Sequence, residues 1–131
     1  MLTIKCNRYI RALINFSRED FIDAVADGSK HFTIRQLRKK PIKKGETLQL
    51  YTGLRTKQAR KLRDAVCKHV WEIKIENKKS EFLFWLDNKQ LSSKKVKDIS
   101  NKIGFDSIEN WIEYFKEKYK FPFKGQLIEW E

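Results

Sequence analysis

Several segments of this chain alternate between apolar and polar residues, which is the period of a β-strand with one covered face. The predicted strands span 30–36, 47–51, 66–76, 81–86 and 126–131, after an extended, partly apolar lead-in over 2–15. Helical patterns flank these strands and do not alternate with them. We therefore predict an α+β fold: a small, mostly antiparallel β-barrel flanked by helices.

Three helices are predicted beside these strands. The first is capped by Ser17, has Glu19 and Asp20 in its first turn, and stops at Gly28. The second covers about 94–103 and the third about 108–119, each preceded by residues that can cap a helix: Ser92 or Ser93, and Asp106 or Ser107. Between the strands, 37–46 is predicted as a loop and 54–64 as a basic loop or a short helix. The lead-in is expected to contribute Leu13, Ile14 and Phe16 to the core.

The chain has 131 residues, which favours one domain over 1–131, and 40% of them are hydrophobic, enough for a core. No run reaches the length that a membrane-spanning helix needs, and the first residues lack the pattern of a signal peptide. We therefore expect a cytoplasmic protein, a monomer, with no membrane contact. Cys6 and Cys67 are expected to be reduced, and two Cys and two His are too few to predict a metal site or another cofactor.

Positive charge is concentrated in one block of the chain. Between Lys30 and Lys68 there are thirteen Lys and Arg residues against Glu46 and Asp64, a net charge of +11 out of +12 for the whole chain. All eight Arg residues lie at or before Arg63. Because the guanidinium pairs two-pronged with phosphate and stacks on bases, this block predicts a polyanion partner, with nucleic acid as the first candidate.

The first candidate site lies in the predicted strand 30–36. Thr33 and Arg35 are two residues apart, so they share one strand face, and Lys30 lies at the corner where the strand begins. A lysine beside a hydroxyl can act as base to a nucleophile if its pKa is lowered, and an arginine can hold a phosphate or an oxyanion. The alternative interpretation is a solvent-facing strand with ordinary polar residues.

The second candidate site follows the predicted strand 47–51. Gly53 permits a tight turn, and five of the nine residues from Arg55 to Arg63 are basic, a combination that suits phosphate. The alternative is a solvated basic surface. The candidate nucleic-acid contacts are Lys30, Arg35, Tyr51, Arg55, Lys57, Arg60, Lys61 and Arg63.

Several motifs in order resemble one known family. The stretch Gly-Ser-Lys-His-Phe-Thr-Ile-Arg at 28–35 resembles the signature of the ASCH domain, a member of the PUA-like superfamily. The stretches 43–48 and 50–57 are similar to the turn and strand that follow it, the latter in a form common in phage and prophage versions. The segments 103–105, 122–125 and 128–130 resemble the C-terminal part of those versions.

The resemblance implies a PUA-like β-barrel with a cleft between barrel and helices, and RNA as the ligand. Some small ASCH proteins deacylate N4-acetylcytidine with a Lys, a Thr and a Glu, and another is described as a ribonuclease. Carried over by position, the Lys is Lys30, the Thr is Thr33, and Arg35 is the accompanying motif Arg. The Glu falls near Gly104, which has no side chain, so Asp106 or Asp98 would have to supply the acid.

Three functions follow as alternatives. The first is an RNA- or nucleotide-binding PUA-like domain with a basic cleft for single-stranded or modified RNA, with DNA as a further ligand. The second is a small hydrolase of the same cleft, with Lys30 as base, Thr33 as nucleophile and Arg35 as electrostatic stabiliser. The third is an accessory protein that binds an acidic protein partner through the basic block.

Overall fold

The computed structural model describes residues 12–131. Seven strands and three helices follow one another in this part of the chain: β1 (Ala12–Asn15), α1 (Glu19–Asp27), β2 (Phe32–Gln36), β3 (Thr47–Thr52), β4 (Arg60–Lys78), β5 (Glu81–Leu86), β6 (Lys89–Gln90), α2 (Ser93–Lys102), α3 (Ile108–Lys118) and β7 (Phe123–Trp130). None of the helices in residues 12–131 is long and apolar enough to cross a bilayer.

The long strand β4 organises the sheet. Along one edge its first part pairs with β3 and its last part with β5, while its other edge pairs with β7 over Cys67–Ile75. β7 in turn pairs with β2, and β1 pairs with β3. Every pairing except β1–β3 is antiparallel, and the sheet is curled like half a barrel. The predicted mixed, barrel-like α+β architecture is therefore confirmed.

Two apolar clusters lie on the two faces of this curled sheet. One packs α2 and α3, through Val96, Ile99, Trp111 and Phe115, against the second half of β4 with β5 and β7. The other packs Val25 of α1 against β1, β3 and the first half of β4. β7 contributes alternately to both: Phe123 and Leu127 belong to the first cluster, Ile128 and Trp130 to the second. The neighbouring residues Leu127 and Ile128 are therefore both buried, one on each face of the sheet.

The helix boundaries agree with the capping signals except at the start of α1. Ser92 and Ser107 accept hydrogen bonds from the backbone N–H groups of Lys95 and Asn110, and Gly28 ends α1 in the left-handed conformation. The predicted Ser17 cap is wrong: Arg18 occupies the N-cap position and no side chain caps the helix. The Arg18 side chain turns toward Asp20 in the first turn instead.

Two further predictions are corrected by tertiary pairing. Leu13 is 46% exposed, because β1 alternates and the inward positions belong to Ala12 and Ile14. The segment 60–64 is neither loop nor helix, because it pairs with β3 as the start of β4. Ladder hydrogen bonds join backbone groups, so they tolerate the basic side chains of this segment. The lead-in residues 2–11, with Cys6, lie outside the described residues.

Candidate functional site

A cavity of about 170 Å³ opens between the start of α1, strand β2 and helix α3. Six aromatic rings line it: Phe16, Phe21, Phe105, Tyr114, Phe115 and Tyr119. The rings come from elements far apart in sequence, and they contact one another, as in the edge-on pair of Phe21 and Phe105, whose centroids are 5.6 Å apart. The cavity therefore has walls suited to a flat ring.

Polar side chains complete the lining, and none of them is a carboxylate. They are Asn15, Ser17, Arg18, Thr33, Arg35 and Lys118. Three of the six are cations, whereas Asp106, the acid considered from the sequence, is exposed and does not line the cavity. A positive cavity with no negative side chain among its described lining residues favours an anionic or acceptor-rich ligand.

Thr33 and Arg35 both lie on strand β2, and both line this cavity. The Arg35 Nε donates to Thr33 Oγ1 at 3.3 Å, and the guanidinium carbon lies 4.8 Å from the Phe16 ring centroid. Thr33 is buried and Arg35 is half-buried, so these two residues form part of the cavity wall, whereas His31 before the strand is exposed. Burial lowers the pKa of Arg35, although a guanidinium stays charged at neutral pH.

Arg18 already has partners in the protein. Its guanidinium makes two hydrogen bonds to the Asp20 carboxylate, at 2.8 and 2.9 Å, and lies 4.5 and 4.8 Å from the ring centroids of Phe21 and Phe105. These contacts hold Arg18 as part of the cavity wall. Arg35 and Lys118 are consequently the two lining cations without a carboxylate partner among the described residues.

Lys30 is buried beside the cavity and does not line it. Its Nζ donates to the Ile103 carbonyl oxygen at 2.5 Å and lies 4.4 Å from the Phe21 ring centroid. Burial, with a smaller contribution from the positive charge of Arg35, lowers the pKa of Lys30 to about 7. The structure therefore brings Lys30 close to the site, but behind the residues Ile103 and Phe21 that form its surface.

Gly104 makes this arrangement possible. A Cβ at position 104 would lie 2.6 Å from Cε1 of Phe21, so only glycine lets the ring pack against this backbone. The same contact excludes a carboxylate side chain from the position at which the family resemblance would place the acid. Lys30, Thr33 and Arg35 thus lie in one region of the molecule without the acid expected to accompany them.

The second predicted site lies beside the cavity and outside its lining. The Leu54 N–H donates to Asn15 Oδ1 at 3.0 Å, and Asn15 lines the cavity. The following turn is closed by Thr56, whose hydroxyl donates to the Gly53 carbonyl at 2.6 Å. We call the segment Arg55–Arg63 the basic segment. Its cations Arg55, Lys57, Arg60, Lys61 and Arg63 do not line the cavity.

Within the basic segment, the cations have different surroundings. Arg55, Lys57 and Arg60 are exposed. Lys61 pairs with Asp64 at 3.1 Å and lies 5.9 Å from the ring centroid of the half-buried Tyr51. Arg63 donates to the Ala26 carbonyl at 3.3 Å at the end of α1, where it supports the helix.

Most of the residues that line the cavity carry no local sequence signal for a site. Asn15, Arg18, Tyr114, Lys118 and Tyr119 were not predicted as site residues, and each has an ordinary role in its own segment. Arg18 lies in the first turn of the helix predicted after Ser17, and Tyr119 lies at the end of the helix predicted over about 108–119. These residues come together because α1 and α3 pack at the same end of β2. The spacing of residues within one segment does not predict that packing.

Within residues 12–131, no group of His, Cys, Asp or Glu side chains is placed to hold a metal ion. Cys67 is buried with a free thiol, whose pKa is raised by burial. Comparison of the chain with protein-family models, with curated proteins and with solved structures finds no match.

Proposed function

We propose that this chain is a PUA-like, ASCH-type domain that binds single-stranded RNA or a nucleotide, with one base entering the cavity. The observation that carries the proposal is the lining: six aromatic rings and three cations surround one cavity, with no carboxylate among the lining residues of 12–131. Aromatic walls stack bases, and cations hold the phosphates attached to them. The order of the sequence motifs supports the ASCH assignment independently of this geometry.

The size of the cavity fits one six-membered ring. An apolar cavity of about 150 Å³ in a protein interior holds a benzene molecule. At about 170 Å³, this cavity has room for one pyrimidine ring but too little for a base stacked on another base. Reading a single unpaired base requires a strand whose bases are free to leave the stack, so the ligand is single-stranded or a loop.

The basic segment supplies the contact to the rest of the strand. It directly follows Leu54, which is bonded to the cavity residue Asn15, and its cations Arg55, Lys57 and Arg60 are exposed. A strand with one base in the cavity would therefore lay its neighbouring phosphates on these cations. Such contacts position the backbone and make the affinity depend steeply on salt.

Fluorescence-anisotropy titration with labelled single-stranded RNA and DNA of equal length, across a salt series, tests this proposal. We expect binding that weakens with salt, with the logarithm of the affinity falling in proportion to the number of phosphates contacted. Arg35→Gln should weaken binding at every salt concentration. Arg60→Gln is the matched control in the basic segment, and it should lower the salt slope by about one contact.

Equal binding by the parent and Arg35→Gln would remove the cavity from the interface. No binding of RNA or DNA at low salt would contradict the proposal as a whole. Binding of DNA in preference to RNA would retain the cavity and change the ligand class.

The second candidate, a hydrolase of the same site, is favoured by one observation. The pKa of Lys30 is lowered to about 7, where an amine can accept a proton at neutral pH. The hydroxyl of Thr33 is the nucleophile available in the cavity. Assay of N4-acetylcytidine and of RNA with the parent, Lys30→Met and Thr33→Val tests it: activity retained by both variants would exclude these residues as base and nucleophile.

A further inference from the structure

We infer that the cavity selects a base by its exocyclic acceptor and prefers uracil over cytosine. The inference rests on the proposed function, since it assumes that a base occupies the cavity. It follows from the hydrogen-bonding character of the lining, which is dominated by donors.

The amide of Asn15 has a fixed orientation. Its Oδ1 accepts the Leu54 backbone N–H at 3.0 Å, so the oxygen of the amide faces Leu54. The Nδ2 group carries two hydrogen-bond donors and no acceptor. Asn15 is therefore presented to a ligand as a donor, although an asparagine whose amide is free to flip could serve as either.

The other polar groups of the cavity point to the same conclusion. Arg35 and Lys118 have only donors to offer, and Arg35 has a guanidinium with five N–H groups. Thr33 Oγ1 already accepts from Arg35 Nε, so its hydroxyl proton is left to donate. The lining side chains that can accept as well as donate are the hydroxyls of Ser17, Thr33, Tyr114 and Tyr119.

Uracil and cytosine differ at one exocyclic position that this lining can read. Uracil presents the O4 acceptor there, whereas cytosine presents the N4 amino donor. A donor of the ligand facing donors of the protein leaves both without partners, and such a mismatch costs more than a missing contact. The N3–H of uracil needs one acceptor, which a Ser or Tyr hydroxyl can provide. Purines are disfavoured by the volume of the cavity.

The experiment compares labelled U12, C12 and A12 oligoribonucleotides in anisotropy titrations with the full chain, at one salt concentration. UMP and CMP then compete for the bound U12, so that the base is tested without the neighbouring phosphates. We expect U12 to bind about tenfold more tightly than C12, and UMP to compete better than CMP.

Asn15→Asp tests the residue. One carboxylate oxygen can keep the bond from Leu54 N–H, while the other replaces the two Nδ2 donors with an acceptor. We expect the preference for U12 over C12 to shrink or reverse. Asn77→Asp, at an exposed position near the end of β4, is the control that adds the same negative charge outside the cavity and the basic segment.

Equal affinity of the parent for U12 and C12, or equal competition by UMP and CMP, would overturn the inference while leaving the proposed function in place. A uracil preference that Asn15→Asp leaves unchanged would overturn the assignment to Asn15. If Asn15→Asp does not fold, the UMP and CMP competition with the parent still decides the preference. Failure of all three oligoribonucleotides to bind would contradict the proposed function itself, and the inference with it.

Discussion

The Phe21 ring lies against the backbone of Gly104, where an added Cβ would come within 2.6 Å of Cε1. The contact joins α1 to the connection between α2 and α3, and both residues flank Lys30 and the cavity. Gly104 also has a φ of +104°, a conformation that residues with a side chain rarely adopt. Glycine at this position therefore permits both the positive φ of the backbone and the close approach of the Phe21 ring.

Gly104→Ala is therefore expected to destabilise the fold by about 2–4 kcal/mol, from the positive φ together with the steric overlap. Gly45→Ala is the matched control, because Gly45 has a φ of +88° and open space where its Cβ would lie. Its cost should be about 1 kcal/mol, the backbone part alone. Urea denaturation of the three proteins measures both values. Equal destabilisation by the two substitutions would show that Phe21 moves aside without penalty.

The buried amine of Lys30 should make stability depend on pH. The pKa of Lys30 is about 7 in the folded protein and near 10.4 in an unfolded chain, so between these values the unfolded state binds more protons. The free energy of unfolding contributed by this group then rises with pH from about 7 to about 10, and is lowest below pH 7. Lys30→Met should flatten this rise.

Urea denaturation at pH 6 and pH 9 measures that dependence. The difference between parent and Lys30→Met isolates the lysine from the other titrating groups, and Lys94→Met, at an exposed position, serves as control. Parallel pH profiles for the parent and Lys30→Met would mean that the Lys30 amine is not perturbed.

We expect the cations of the basic segment to have two different roles, some stabilising the fold and others binding the ligand. Arg63 donates to the Ala26 carbonyl at the end of α1, whereas Arg60 is exposed. Arg63→Ala should lower stability by about 0.5–1 kcal/mol through the loss of a cation at the helix C-terminus, and Arg60→Ala should leave it unchanged. Thermal unfolding measures both. A larger loss in Arg60→Ala would contradict this division.

The buried amide of Gln126 should control the loop 37–46. Its side chain accepts from the Ile42 N–H at 3.1 Å and donates to the Ile42 carbonyl at 2.8 Å, which ties the loop to β7. Gln126→Leu leaves two buried backbone groups unpaired and should destabilise by about 1–3 kcal/mol. Hydrogen exchange at Ile42 should accelerate as well, and Gln36→Leu, at an exposed position on the neighbouring strand, should change neither. Unchanged exchange at Ile42 in Gln126→Leu would show that other contacts hold the loop.

The sequence alone determined the elements whose signals are local. Thr33 and Arg35 share a strand face because side chains alternate with a period of two, and their hydrogen bond needs no other segment. Ser92, Ser107 and Gly28 marked helix ends through the backbone groups that each residue satisfies there. The strand at 60–64 lacked such a signal, because its pairing with β3 depends on a partner and not on its own side chains.

Only the tertiary structure decided the composition of the cavity. Lys30 meets the carbonyl of a residue 73 positions away, and Asn15 meets Leu54 across 39 positions. These contacts depend on how α1 and α3 pack against the curled sheet. The spacing of these residues along the chain does not determine that packing. Short-range geometry is fixed by bond angles and side-chain periodicity, so sequence reveals it. Long-range geometry is the joint result of all packing contacts, so the charged block in the sequence indicated a polyanion partner but not the enclosed cavity beside it.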